Sequence, residues 1–195
     1  MNLPNKLTVL RLILVPVFVA VFYITAIPYN YLISAIIFTF AACTDFLDGY
    51  IARKYNLVTD FGKFLDPIAD KLLVCSAIII MLLPNSEVTI MPWYCSIGVA
   101  IIISRELLVS GFRLIASTKN RVIPADMAGK IKTFVQDIAI VVLLVGASIF
   151  PQTFSVMNIV GLIIFGISVL LTIISGAECI IKNIDILKEK KEENK

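Results

Sequence analysis

Residues 45–71 read DFLDGYIARKYNLVTDFGKFLDPIADK, and they carry four aspartates, Asp45, Asp48, Asp66 and Asp70, in a chain that is 59% hydrophobic. The first pair is entered directly from the apolar run Tyr31 to Cys43. At about 3.6 residues per turn, Asp45 and Asp48 share one helix face, and Asp66 and Asp70 share another. Two such helices side by side bring four carboxylates together. An acidic side chain at a bilayer centre costs about 2.5 to 3.5 kcal/mol on insertion scales, so the four belong near an interface or a wet cavity. Mutual repulsion adds to that cost. Hard divalent cations relieve it, because carboxylate oxygens suit Mg²⁺ or Mn²⁺ and two such ions balance four negative charges. The stretch therefore predicts a two-metal site.

Outward from it the chain is apolar, with 195 residues, a mean hydropathy of +0.95 and only 16% charged residues. That composition predicts an all-α integral membrane protein of one domain, residues 1–195. Six stretches are long enough to cross a hydrocarbon core of about 30 Å. They run Leu7 to Ile27, Tyr31 to Arg53, Gly62 to Leu83, Met91 to Ala116, Met127 to Phe150 and Val156 to Ile181. Pro28 with Asn30, Pro84 with Asn85, Pro124 before Asp126, and Pro151 punctuate the breaks. Short loops predict antiparallel neighbours in one bundle. All 17 Lys and Arg residues fall in or beside Lys6–Arg11, Arg53–Lys71, Arg105–Lys132 and Lys182–Lys195. By the positive-inside rule these zones and both termini face the cytoplasm. The outward turns carry Glu87 alone. A charged tail from about 183 to 195 reads as a solvated end.

Several chemistries are excluded at once. Histidine is absent, which removes triads and imidazole shuttles. A general base must then be a carboxylate, lysine, tyrosine or cysteine. Cys43, Cys75, Cys95 and Cys179 are widely separated and read as small apolar residues, with neither a disulfide nor a zinc pattern. Nothing points to nucleic acid. The first span lacks a small-residue cleavage site and reads as a retained anchor. Trp93 and Tyr94 read as interfacial aromatics at the outer boundary.

Between the aspartate pairs, Gly49, Ala52 and Gly62 let a bulky ligand approach the backbone, and Arg53 carries a charge suited to phosphate. In SRELLVSGFR, Arg105 and Glu106 are adjacent and cannot share a helix face, so each is expected to seek a partner on another helix. Arg113 follows two turns later, and the fifth span opens with Lys130 and Lys132. These four cations suit a phosphate pocket beside the aspartates, although snorkelling also accounts for Lys132. Asn5, Thr8 and Arg11, at intervals of three, occupy one side of the first helix; capping and anchoring alone would explain them. Asp137 and Glu178 lie within or near spans without an assigned role.

At this point the chain resembles the CDP-alcohol phosphotransferases, whose signature D-x2-D-G-x2-A-R-x8-G-x3-D-x3-D is met at Asp45, Asp48, Gly49, Ala52, Arg53, Gly62, Asp66 and Asp70. The openings P-N-x-x-T-x-x-R, R-E-L...S-G-x-R and G-K-x-K-T extend the likeness over most of the first 133 residues. They are most similar to the branch that takes sn-glycerol 3-phosphate. The resemblance implies transfer of a phosphatidyl group from CDP-diacylglycerol to that acceptor, giving phosphatidylglycerophosphate and CMP in the bacterial cytoplasmic membrane. It implies Asp45, Asp48 and Asp66 as metal ligands, and Asp70 as ligand and general base. Gly49, Ala52, Arg53, Gly62, Asn5 and Thr8 would hold CDP. Arg105, Arg113, Lys130, Lys132 and Arg11 would hold the acceptor phosphate. A homodimer among membrane lipids is usual in the family. Transfer to inositol phosphate, a cardiolipin synthase and a divalent-cation transporter stay open as alternatives.

Overall fold

Among the described residues six helices follow one another in the computed structural model: α1 Leu3–Tyr23, α2 Asn30–Lys54, α3 Asp60–Leu82, α4 Cys95–Thr118, α5 Met127–Ile149 and α6 Val156–Asn183. The structure describes residues 2–55, 60–85, 88–118, 127–149 and 155–183, without the side chains at 3, 45–50, 52, 53, 60, 61, 63, 64, 66, 117 and 118. Glu87, Asp126, Pro151 and the charged tail beyond 183 therefore lie outside the described residues. The expected helix order holds. The first helix starts four residues earlier than expected, because Pro4 sits in its first turn, where a missing N–H costs nothing, and Lys6 N already donates to Asn2 O at 3.1 Å. The fourth starts later, since Trp93 and Tyr94 belong to turns that precede Cys95.

Among the described residues, four helices are long and apolar enough to cross a membrane: Pro4–Tyr23, Cys95–Ala116, Met127–Ile149 and Val156–Asn183. The apolar part of α2 is the shorter Asn30–Thr44. The charged stretch 45–71 occupies the end of α2 and the start of α3, which is why these two long helices fall short by composition.

Helix α1 packs on α2 and α3, α2 on α5, α5 along α6, and α6 on α4. The core is Phe18, Phe22, Phe38, Leu73, Ile78, Met81, Ile102, Ile140 and Leu143, all nearly inaccessible. Along α6 the polarity runs inward. Ile159, Ile163, Ile167, Leu170 and Ile174 are exposed, while Asn158, Gly161, Ser168, Thr172 and Ser175 are buried. Small residues let helices approach closely without a hydrophobic drive between them. At Gly161 a Cβ would stand 2.8 Å from Leu143 Cγ, so α5 lies against bare backbone. Ser168, Thr172 and Ser175 each donate to a carbonyl three or four residues back, which removes the penalty of burying their hydroxyls.

One end of the bundle is tied by asparagines. Asn30 Nδ2 and Asn85 Nδ2 both donate to Phe22 O at 2.7 Å, a carbonyl near the end of α1 that has lost its helical partner. The Tyr31 hydroxyl donates to Asn85 O at 3.4 Å, and Met91 N donates to Met81 O at 3.1 Å. These bonds hold α1, α2 and the α3–α4 turn together. Tyr29, just before α2, takes a left-handed conformation with φ 57°. Trp93 and Tyr94 stack edge-on, both exposed, as an interfacial pair requires.

Candidate active site

Helices α2, α3, α4 and α5 surround a cavity of about 950 Å³. Its apolar side comprises Phe38, Thr39, Ala42 and Cys43 of α2 with Phe134, Ile138, Val141 and Val142 of α5. Its charged side comprises Asp70 and Lys71 of α3, Arg105, Glu106 and Arg113 of α4, and Lys130 and Asp137 of α5. A space of this size and mixed lining suits a ligand with a polar head and an apolar body.

Asp70 is half-buried on the cavity wall. Asp66 lies one turn before it on α3, and Asp45 lies three residues beyond Ala42 on the uninterrupted helix α2, with Asp48 following. The side chains of Asp45, Asp48, Asp66, Gly49's neighbours, Ala52 and Arg53 lie outside the described residues. Their helical backbones are as expected. Pro67 falls inside α3 and has no N–H to give to the preceding turn, which opens the backbone ladder beside the site. Gly62 is buried near the start of α3. Among the described residues no three His, Cys, Asp or Glu side chains cluster, and three of the four signature aspartates are outside that set.

The cations behave differently from one another. Arg113 and Lys130 are exposed and line the cavity. Lys132 is 2% exposed, is not part of the wall, and donates to Glu106 Oε1 at 2.8 Å. The expectation that Arg105 and Glu106 would not pair locally needs correcting. Arg105 Nη1 donates to the same Glu106 Oε1 at 2.9 Å, because a long side chain can curl past its own backbone to an adjacent residue. Both also reach other helices, Glu106 through Lys132, and Arg105 by donating from Nη2 to Ser175 Oγ at 3.0 Å. Room for that reach comes from Gly176, where a Cβ would stand 2.9 Å from Arg105 Cγ. Arg105 thereby also walls a smaller, mostly apolar groove of about 530 Å³ between α4 and α6.

Asn5, Thr8 and Arg11 are all buried on α1, with Arg11 at 0% exposure, and none is part of the cavity wall. Thr8 Oγ1 donates to Pro4 O at 3.2 Å. Glu178 pairs with Lys182 one turn on, at the far end of α6. Cys43 lines the cavity, Cys75 is half-buried, Cys95 and Cys179 are buried, and all four thiols are free. Asp137, left without a role by the sequence, is a cavity residue. Its spacing of seven from Lys130, two full turns, was the signal available.

The family profile described as CDP-alcohol phosphatidyltransferase matches residues 1–174. The CDP-diacylglycerol--glycerol-3-phosphate 3-phosphatidyltransferase of Rickettsia bellii (strain RML369-C) is 45% identical over 175 residues, covering 90% of this chain and 91% of its own. The protein of that name from Bacillus subtilis (strain 168) is 40% identical over 199 residues, covering 96% and 97%. A Mycobacterium tuberculosis (strain ATCC 25618 / H37Rv) protein named as a probable phosphatidylglycerophosphate synthase is 37% identical over 179 residues, covering 91% and 79%.

Proposed function

This chain belongs to the CDP-alcohol phosphatidyltransferase family, and from that premise we propose that it transfers the phosphatidyl group of CDP-diacylglycerol to sn-glycerol 3-phosphate. The products are phosphatidylglycerophosphate and CMP. One observation carries the reading at the level of the site: a single cavity presents the Asp70 carboxylate, the exposed cations Arg113 and Lys130, and an apolar flank. A base, a phosphate anchor and a lipid-compatible surface are three of the things this reaction requires.

In the step itself, an acceptor hydroxyl oxygen forms a bond to the phosphatidyl phosphorus, and the bond from that phosphorus to CMP breaks. Asp70 takes the hydroxyl proton, and CMP leaves with the electron pair. A carboxylate at an ordinary pKa of about 4 is a weak base, so placement within reach of the hydroxyl matters more than basicity. Arg113 and Lys130 hold the acceptor phosphate, which fixes the hydroxyl for attack. The backbone near Gly62, together with Gly49, Ala52 and Arg53, receives the nucleotide.

The donor set of four carboxylates without imidazole fits a hard divalent ion, and Asp70, the one of the four whose side chain is described, lines the cavity. Mg²⁺ or Mn²⁺ held by Asp45, Asp48, Asp66 and Asp70 would supply charge neutralisation at the diphosphate. The proposal extends to topology: six spans, cationic ends and both termini in the cytoplasm, and an active site on that side of the bacterial cytoplasmic membrane. The clustering of Lys and Arg supports this orientation.

The test is CMP release by the purified protein with CDP-diacylglycerol, Mg²⁺ or Mn²⁺, and a panel of acceptors. Release is expected to need glycerol 3-phosphate and metal, and to collapse in Asp70→Asn. Release supported by inositol phosphate or phosphatidylglycerol in its place would reassign the acceptor.

A further inference from the structure

The two oxygens of Glu106 are in different situations. Oε1 accepts from both Lys132 Nζ and Arg105 Nη1, at 2.8 and 2.9 Å. Oε2 makes no hydrogen bond or ion pair among the described residues, and it is not one of the buried atoms lacking a partner. The side chain is 17% exposed and belongs to the cavity wall, so Oε2 opens onto the cavity. Two cations on one oxygen fix the plane of the carboxylate and leave the other oxygen aimed at whatever enters.

Resting on the reaction read above, we propose that Glu106 recognises the acceptor, with Oε2 taking a hydrogen bond from a hydroxyl of the polyol phosphate that does not attack. An ionised carboxylate accepts hydrogen bonds and donates none, so it selects a hydroxyl and rejects a carbonyl or a bare methylene at that place. It also repels phosphate, which gives the acceptor a direction. Glu106 and Arg113 stand seven residues apart on α4, nearly one face and roughly 10 Å along the axis. A three-carbon polyol phosphate, met by the reach of an arginine, spans that interval with its phosphate at Arg113 and Lys130 and its free hydroxyl at Glu106.

The experiment compares kcat/KM for three phosphates: glycerol 3-phosphate, propane-1,3-diol monophosphate, which lacks the middle hydroxyl, and dihydroxyacetone phosphate, which carries a carbonyl there. All three keep a primary hydroxyl for attack. In the native protein each analogue is expected to fall by about 10- to 100-fold, the worth of a charge-assisted hydrogen bond. In Glu106→Gln, Lys132 and Arg105 hold the amide oxygen and turn its NH₂ to the cavity. The carbonyl compound should then gain on glycerol 3-phosphate by about tenfold or more.

Use of propane-1,3-diol monophosphate within about twofold of glycerol 3-phosphate by the native protein would overturn the proposal, and needs no variant. So would a Glu106→Gln protein that loses activity toward all three by one common factor, which is what a merely structural carboxylate gives. If the native protein releases no CMP, calorimetric binding of the same three phosphates separates the two claims. A preference for glycerol 3-phosphate then keeps the role of Glu106 and overturns the reaction, while equal or absent binding overturns both.

Discussion

Removing the carboxylate of Glu106 should destabilise the bundle more than removing the ammonium of Lys132 opposite it. The pair stands at 2.8 Å, with the side chains 17% and 2% exposed. At an effective dielectric of about 20 the gross attraction is about 6 kcal/mol, most of it consumed by stripping water from both ions. What decides each variant is the charge left behind. Glu106→Ala leaves the Lys132 ammonium buried, with no other partner among the described residues. Stranding such a charge costs about 3 to 5 kcal/mol. In Lys132→Met the stem still fills its space, while Glu106 keeps Arg105 and an opening to the cavity. We expect a loss of about 1 to 2 kcal/mol, as for a single net hydrogen bond to a charged group. The double variant should fall near Lys132→Met, because the stranded charge is gone, giving a coupling of about 3 to 5 kcal/mol, the size of the Glu106→Ala loss itself. Unfolding in mixed micelles across the four proteins of the cycle measures it. Equal single losses that add to within about 0.5 kcal/mol would refute the arrangement.

Three further outcomes follow from other parts of the structure. Gly176→Val places methyls where Arg105 Cγ already stands, 2.9 Å from a Cβ at that position, and should cost about 1 to 3 kcal/mol in a detergent melt, with Gly176→Ala costing less. Asn85→Ala loses the 2.7 Å bond to Phe22 O and should cost about 1 to 2 kcal/mol in the same melt, while kcat/KM stays unchanged, since Asn85 is no part of the cavity wall. Arg113→Ala should raise the KM for glycerol 3-phosphate by about 10- to 100-fold and leave that for CDP-diacylglycerol within about twofold, read from steady-state CMP release.

Why some of this was legible in the chain and some was not comes down to which interactions are local. Helix positions follow from apolar length and from charge at the ends, both local, so six helices could be counted before any packing was known. The signature aspartates announce themselves because carboxylates are costly in apolar surroundings, and the cost is a property of the residue, not of its partner. Glu106 shows the opposite case. Its neighbour in sequence, Arg105, looked badly placed for it, and its second partner, Lys132, lies 26 residues on in another helix. No helical spacing predicts that meeting. The asparagines at 30 and 85 read as punctuation beside prolines, yet both converge on one carbonyl of α1. Convergence of that kind is tertiary and leaves no periodic trace. Ser168, Thr172 and Ser175 did leave a trace, at intervals of four and three in the most apolar helix. In a membrane the lipid already satisfies the apolar residues, so a polar stripe at helical spacing marks the buried face. Read that way, α6 identifies the side that receives Arg105. That arginine in turn bonds the Glu106 carboxylate on the cavity wall, so the inward polarity of the last helix shapes the cavity through the helix it packs against, α4.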